Sequence, residues 1–417
     1  MSNDQRRRRI ENALWGYFIA DALAMPAHWF YNRENLRRTF DGGITGFADA
    51  PHPHPESFMV GMSYEPDVAK ADALGRPYDI LHEHARYYET TYSKLEIERT
   101  EQESEHGNAT PAEDERYHYH HGLKAGENTT AAQLVRVLLR SVVAEGRYDE
   151  GAFLENFVSY LTTPGRRDPY LEIYLRSWFE FYAAGHPVTA CAERQREVWS
   201  IGSHGGMLRP MVLSLLATSP YQGLGFALEH QNLTHRSENV AAALGVAVPL
   251  LHDLVDGRPA LEAAADHASR IRLPKISGEE MFAQYREHDG PGNIPDREMW
   301  RLHTELSEEP FDLRVFARQP EEAVVLQRLA TACYPEQGLP LALYFAAHHD
   351  FSYRAAVLAD VNAGGDNVHR SSMLGLIAGA AVVDHLPANL IRGLAEADAL
   401  AAEIEGFADV ALKACPW

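Results

Sequence analysis

Three stretches of this chain, residues 129–145, 239–255 and 371–383, are Ala- and Gly-rich, apolar and carry few charges. Each reads as a helix that is apolar nearly all round. Such a helix has to be covered on every side, so several of them together demand the centre of a large multi-helix bundle. Other segments repeat the helical rhythm. Ile10, Leu14, Tyr17 and Asp21 share one face of a helix near the N-terminus. Leu134, Val137, Leu138 and Leu139 mark the second helix. The third runs from Val240 to Val255, with Ser237 as its N-cap, Pro249 expected to kink it and Asp256–Gly257 ending it. Ala355–Val361 and Met373–Val383 form a pair around a glycine turn, and Ala395–Ala411 reads as an amphipathic Ala/Glu-rich helix. There is no run of alternating β-branched residues and no βαβ rhythm, which disfavours Rossmann and TIM-barrel folds. The expected class is all-α.

A chain of 417 residues with 45% hydrophobic and 23% charged residues can bury a large core, and a disordered chain is excluded. It is read as one domain over 1–417, with loop or lid insertions at 93–117 and 274–298, where charged and turn-forming residues crowd together. The formal charge is 38 − 59 = −21, and the only basic run is Arg6–Arg9, so a nucleic-acid partner is not expected. The apolar runs 240–251 and 373–383 are shorter than a membrane span, and no secretory signal is visible. Cys191, Cys333 and Cys415 are few, odd in number and far apart, which points to a reducing compartment. A cytoplasmic protein without a membrane partner is expected, its oligomeric state open. The 21 histidines are the unusual count.

Polar residues interrupt the apolar helices at particular places. Asp21 lies on the apolar stripe of the first helix, where a carboxylate needs a partner. It is either a cap for a neighbouring helix or part of a site. His28 follows, after Pro26 and beside aromatics. In 118–139 a loop holding His118, His120, His121, Lys124, Gly122 and Gly126 runs into Glu127, Asn128, Thr129 and Thr130 at a helix start. One of these residues must cap the helix. The cluster of oxygens is also what a hard cation wants. In 360–379, Asn362 and the pair Gly364–Gly365 precede Asp366, Asn367, His369, Arg370, Ser371 and Ser372 at the start of another apolar helix. The glycines permit positive φ and close approach of a ligand, and the helix N-terminus supplies N–H donors to an anion. A capped helix–helix turn is the plainer reading. GSHGGMLRP at 202–210, with His204 and Arg209, and LTHRSEN at 233–239, with His235, are weaker instances of the same pattern. In a bundle, helix starts on one side can converge on a single small-molecule cleft.

Taken in order, these motifs resemble the ADP-ribosylglycohydrolase family, which includes crystallin relatives, from about Arg8 to about Leu394. ADALAMPAH at 20–28 resembles the family's GDALGxPxE, and AGENTT at 125–130 its TDDT loop. GSHGGMLRP and THRSEN resemble a Gly–Arg–Pro segment and the Thr–His segment that follows it. VNAGGDNVHRS at 361–371 resembles VNxGGDTDT. The resemblance implies an all-α orthogonal multi-helix bundle and hydrolysis of the glycosidic bond at C1 of an ADP-ribosyl group. It also implies a pair of Mg²⁺ ions in the cleft.

The departures fall on the metal motifs. Glu127 and Asn128 stand where the family has two aspartates, Val368 and His369 where it has a second Asp and a Thr, and His28 where many members carry a Glu. The resemblance therefore implies one Mg²⁺ rather than two, held by Glu127, Asn128, Thr129 and Asp366, with a metal-free site as the alternative. Glu127 or Asp366 would activate water, and His28 or His369 would serve as acid or base. Asp21, Lys124, Asn128, His204, Asn362, Gly364, Gly365, Asn367 and Arg370 would contact substrate. The substrate expected is a small-molecule or protein-linked ADP-ribosyl group or related ribosyl compound. A small N-riboside or nucleoside-like metabolite is one alternative, and a non-catalytic ligand-binding or crystallin-like structural protein is another.

Overall fold

The computed structural model describes residues 2–56, 64–90, 116–194, 201–288 and 294–413. Helices take up 62% of it and strands 3%, so the protein is all-α. The segments that position the site are α1 (Asn3–Ala24), α2 (Thr130–Glu145), α3 (Ile173–Ala183), α4 (Gly205–Ser214), α5 (Pro220–Gln231) and α6 (Glu238–Val255). They continue with α7 (Pro335–His348), α8 (Tyr353–Ala363), α9 (Asn367–Ala381) and α10 (Ala397–Ala411).

Helix α1 starts at a capping box, in which Ser2 Oγ accepts from Gln5 N and Gln5 Oε1 accepts from Ser2 N. Its first turns are basic, and from Ile10 onward every residue except Glu11 and Trp15 is buried. The basic turns are used. Arg6 pairs with Asp256, Arg7 with Glu11 and Asp409, and Arg9 donates to Ala380 O at the end of α9. Cations there satisfy carbonyls that a helix end leaves unpaired.

Helices α1 and α9 cross antiparallel at the centre, and glycine sets their separation. A Cβ on Gly16 would lie 2.3 Å from Gly375 O, and a Cβ on Gly375 2.3 Å from Gly16 O. Tyr353 of α8 then donates to Gly16 O at 2.7 Å. Around α9 pack α1, α4, α6, α7 and α8, so every residue from Asn367 to Ala380 is buried. Helix α2 closes the far side against α4 and α10.

Ser237 caps α6 as its position suggests, and Pro249 lies inside that helix without ending it. Counted over its full 18 residues, α6 is long and apolar enough to cross a membrane by composition alone. In the fold it is packed against α4, α5, α7 and α9.

Of the two segments read as insertions, 93–117 lies outside the described residues except for 116 and 117. The described part of 274–298 is more ordered than its turn residues suggest. A capping box between Ser277 and Glu280 starts the helix Gly278–Glu287, and Asp296–Thr304 forms another. They sit between two short antiparallel strands, Arg272–Pro274 and Leu306–Pro310, with Arg272 opposite Pro310. Met281 seats this unit on Ala330, Ala332 and Tyr334.

Two outcomes are expected. Gly375→Val forces the α1–α9 crossing apart and should cost about 3 kcal/mol, read from the urea midpoint. The second concerns Glu336 in the first turn of α7, whose carboxyl burial pushes up to about 7 against its bond from Asn239. Its folded pKa is raised, so its contribution to stability is present below the unfolded value of about 4.5 and lost as pH rises through about 7. Glu336→Gln should therefore match the parent protein near pH 4.5 and exceed it at pH 8 by up to about 3 kcal/mol, read from denaturation midpoints.

Candidate active site

The start of α2 carries no cap of its own. Thr129 occupies the N-cap position without a side-chain bond to the helix. Its N–H donates instead to Asp21 Oδ1 at 2.9 Å, and its hydroxyl to Asp21 Oδ2 at 2.6 Å. Asn128 Nδ2 adds a third bond to Asp21 Oδ1 at 2.8 Å. The next helical N–H, of Thr130, donates to Asp168 Oδ2 at 2.6 Å. Two carboxylates from other segments thus close the orphan N–H groups and face the positive end of the helix. Burial pushes Asp21 up against the pull of these donors.

The glycine turn before α9 does different work from that expected. Gly364 and Gly365 both have φ of +71°. The close approach they permit is to backbone: added Cβ atoms would lie 2.1 Å from Phe30 O and 2.2 Å from Thr331 O. Trp29 N donates to Gly365 O and Gly365 N to Phe30 O, each at 2.8 Å. This two-way bridge brings His28, just beyond α1, beside Asp366. Arg370 holds the turn from within, through Asp360 Oδ1 and the carbonyl of Gly364. Asn362 is engaged with both backbone groups of Ile44, and Asn367 Nδ2 donates to Val361 O.

Three imidazoles surround Asp366 Oδ1. His28 Nε2 lies at 3.3 Å, His204 Nε2 at 3.5 Å and His369 Nδ1 at 3.1 Å, and all four residues are buried. Two arms lead outward. His28 Nδ1 meets His120 Nε2 at 2.7 Å, and His120 Nδ1 meets Asp168 Oδ1 at 2.9 Å. On the other side, His369 Nε2 lies 3.5 Å from Glu172 Oε1. Two imidazoles strung between Asp168 and Asp366 make three hydrogen bonds, while two neutral rings carry two N–H protons. A filled chain thus needs one proton more than neutral rings provide.

Electrostatics divides these groups. Burial alone would raise Asp366, but His369 and His204 hold it well below the usual carboxylate range. Burial opposes charge on His369, yet Glu172 and Asp366 push it up to about 9. Burial pushes His28 down to about 3 despite Asp366, and it raises Glu172. Asp168, though buried, is lowered by His120 and by the Thr130 N–H.

Other histidines are structural. His54 Nδ1 accepts from Glu56 N, so its Nε2–H donates to His28 O. His118 Nδ1 accepts from His120 N, so its Nε2–H donates to Pro26 O. Both hold the backbone around His28 as neutral rings, which burial enforces.

Two spaces adjoin the cluster. A void of about 10 Å³, roughly one water, is lined by His120, Thr129, Thr130, Tyr170, Glu172 and His369. Outside it lies an open cleft of about 500 Å³ lined in part by Glu127, Asn128, Arg166, Arg167, Asp168 and Glu396. Asp168 joins the two, because it lines the cleft and bonds His120.

Of the residues singled out from sequence, His28, His204, Asp366 and His369 come together, with Asp21, Asn128 and Thr129 in the adjoining clamp. Glu127 faces the open cleft, where it accepts from Lys124 N and pairs with Arg167. Lys124 is exposed and pairs with Asp49. The residues named for Mg²⁺ do not form an oxygen-rich pocket. Asn128 and Thr129 are turned toward Asp21, Glu127 lies apart at the cleft paired with Arg167, and Asp366 Oδ1 faces three imidazole nitrogens. Mg²⁺ prefers oxygen ligands in near-octahedral array, so this set does not fit it. His204, Asp366 and His369 do form a cluster that can hold a metal ion, with one donor atom of each within 4.8 Å of the others.

Asp168 and Glu172 were not singled out from the sequence. Their signal is the pair of carboxylates four apart in RRDPYLE, directly before α3.

The ADP-ribosylglycohydrolase family profile matches residues 68–416. No curated protein matches the chain. Among solved structures it is similar to one described as an ADP-ribosylglycohydrolase-related protein complex, at 16% identity and a TM-score of 0.52, covering 98% of this chain and 99% of that one. The chain belongs to the ADP-ribosylglycohydrolase family, a hydrolase-type family, and its fold is of that kind. The ADALAMPAH motif at 20–28 precedes the matched segment.

The clamp on α2 can be tested directly. Asp21→Ala strands the Thr129 N–H and hydroxyl in a buried place and should cost about 3 kcal/mol in a denaturant titration.

Proposed function

We propose that the protein hydrolyses the glycosidic bond at C1 of a ribosyl group, either ADP-ribosyl or a smaller riboside, with water as nucleophile. One observation carries this reading. Asp366 and Glu172 flank the same imidazole, His369, while their surroundings push the two carboxyls in opposite directions. Carboxyls separated in this way divide the labour of glycoside hydrolysis.

Asp366, held ionised, opposes the positive charge that develops on C1 as the bond to the leaving group breaks. Glu172, raised by burial, is matched to accept a proton from the attacking water as the new C1–O bond forms. The void between Glu172, His369 and Thr129 has room for that water. His120, across the void, has both ring nitrogens engaged by Asp168 and His28 and steadies the chain that leads to Asp366, and the leaving group takes its proton from water in the open cleft. His28 and His369 keep Asp366 oriented. Glu127, Asn128 and Arg167 line the cleft and are assigned to substrate contact, within a volume suited to a small-molecule group.

Turnover is read as free ribose or ADP-ribose released from an ADP-ribosylated peptide and from simple nucleosides. Asp366→Asn and Glu172→Gln should each lower kcat by about 10²–10⁴. Glu172→Gln should also remove the limb of the pH–rate profile that reports the base. Full turnover in both variants would rule the assignment out.

A further inference from the structure

We propose that His204, Asp366 and His369 form a binding site for one first-row transition-metal dication of the Zn²⁺ or Co²⁺ type. This inference goes beyond the hydrolase reading and does not depend on it. The first support is spacing. His369 Nδ1 and His204 Nε2 stand 3.1 and 3.5 Å from Asp366 Oδ1, yet neither is aligned for a hydrogen bond to it. Donors bound at ~2.0–2.1 Å to one ion sit roughly 2.9–3.4 Å from each other. The two separations from Asp366 lie in or close to that range, and all three donor atoms lie within 4.8 Å of one another.

The second support is unsatisfied nitrogen. Both ring nitrogens of His204, a fully buried residue, lack a hydrogen-bond partner, as does His369 Nδ1. Leaving such groups bare inside a protein costs about 1–3 kcal/mol each. The His204 ring is also packed hard against α7: a Cβ on Gly338 would lie 2.1 Å from its Nδ1. It is held in place by shape rather than by hydrogen bonds, which leaves Nε2 facing Asp366.

The third support lies behind the donors. Imidazoles that bind metal through one nitrogen commonly donate the other N–H to a carboxylate, and metal-bound carboxylates are themselves hydrogen-bonded. His369 Nε2 faces Glu172 Oε1, and Asp366 Oδ1 takes a bond from His28 Nε2. Two imidazoles and one carboxylate select a borderline transition ion over Mg²⁺.

The test uses the full chain, stripped with chelator and titrated with Co²⁺. One equivalent should bind, with visible bands of a nitrogen–oxygen site. Zn²⁺ should displace it, and Mg²⁺ in large excess should not. His204→Ala and His369→Ala should each weaken Co²⁺ binding at least ~100-fold, and Glu172→Gln about 10–100-fold. If an alanine variant does not fold, the unmodified Co²⁺ protein decides, since two hyperfine-shifted imidazole N–H resonances are expected. Failure to bind one equivalent, displacement by Mg²⁺, fewer than two shifted resonances, or unchanged affinity in folded alanine variants would each overturn the proposal. Absence of turnover in the unmodified protein with one metal ion bound would instead count against the hydrolase reading alone.

Discussion

The crossing of α1 and α9 at Gly16 and Gly375 is the constraint on which the site depends. Two helices can approach this closely only where neither carries a side chain, and each glycine here faces the other's carbonyl. Because the helices run antiparallel, the end of α1 lies beside the beginning of α9. That places His28 against Asp366 and lets Asp21, one helical turn from the end of α1, reach across to α2. A larger residue at the crossing would shift one helix along the other, and the carboxylates and imidazoles would move with it.

Such placement puts charge deep in a desolvated core, which has to be compensated group by group. The carboxylates meet this in two ways. Asp21 and Asp168 face the start of α2 and take its free N–H groups. Asp366 faces imidazoles instead. That difference separates their roles: Asp21 is filled by donors at the start of α2 and acts as a cap, Asp168 is shared between the Thr130 N–H and the His120 ring, and Asp366 is surrounded by rings that can gain or lose a proton. The histidines divide likewise. His54 and His118 are locked as neutral rings by one backbone donor and one backbone acceptor, whereas His28, His120, His204 and His369 face each other or carboxylates.

The helices were legible because each is long and apolar, so composition alone required burial, and Ser237 and the glycine turn marked their ends. Asp366 and His369 were legible as polar residues in front of an apolar helix. The role of Arg370 was not, because its partner Asp360 lies ten residues back and only the folded turn brings them together. Glu127 looked like a ligand because it neighbours Asn128 and Thr129 in sequence, but the chain turns at Gly126, with φ of +82°, and sends Glu127 toward Arg167. Asp168 and Glu172 stand in a short segment before a helix, behind Gly165 and with no histidine beside them. Their importance arises from what α2 and α9 bring to them, and no local pattern encodes that.

The substitutions that set this chain apart from its family have a common direction. Where the family motifs that this chain resembles carry carboxylates and a threonine, it presents Asn128, Val368, His369 and His28. Each exchange removes negative charge or adds a nitrogen donor, and the remaining Asp366 is left among rings. In a pocket of that composition His369, raised by Asp366 and Glu172 on either side, supplies positive charge between them while no ion is bound. The pocket keeps only a one-sided demand for an ion that accepts nitrogen. The same changes that leave a hard cation few oxygen donors therefore also surround Asp366 with groups that can gain or lose a proton.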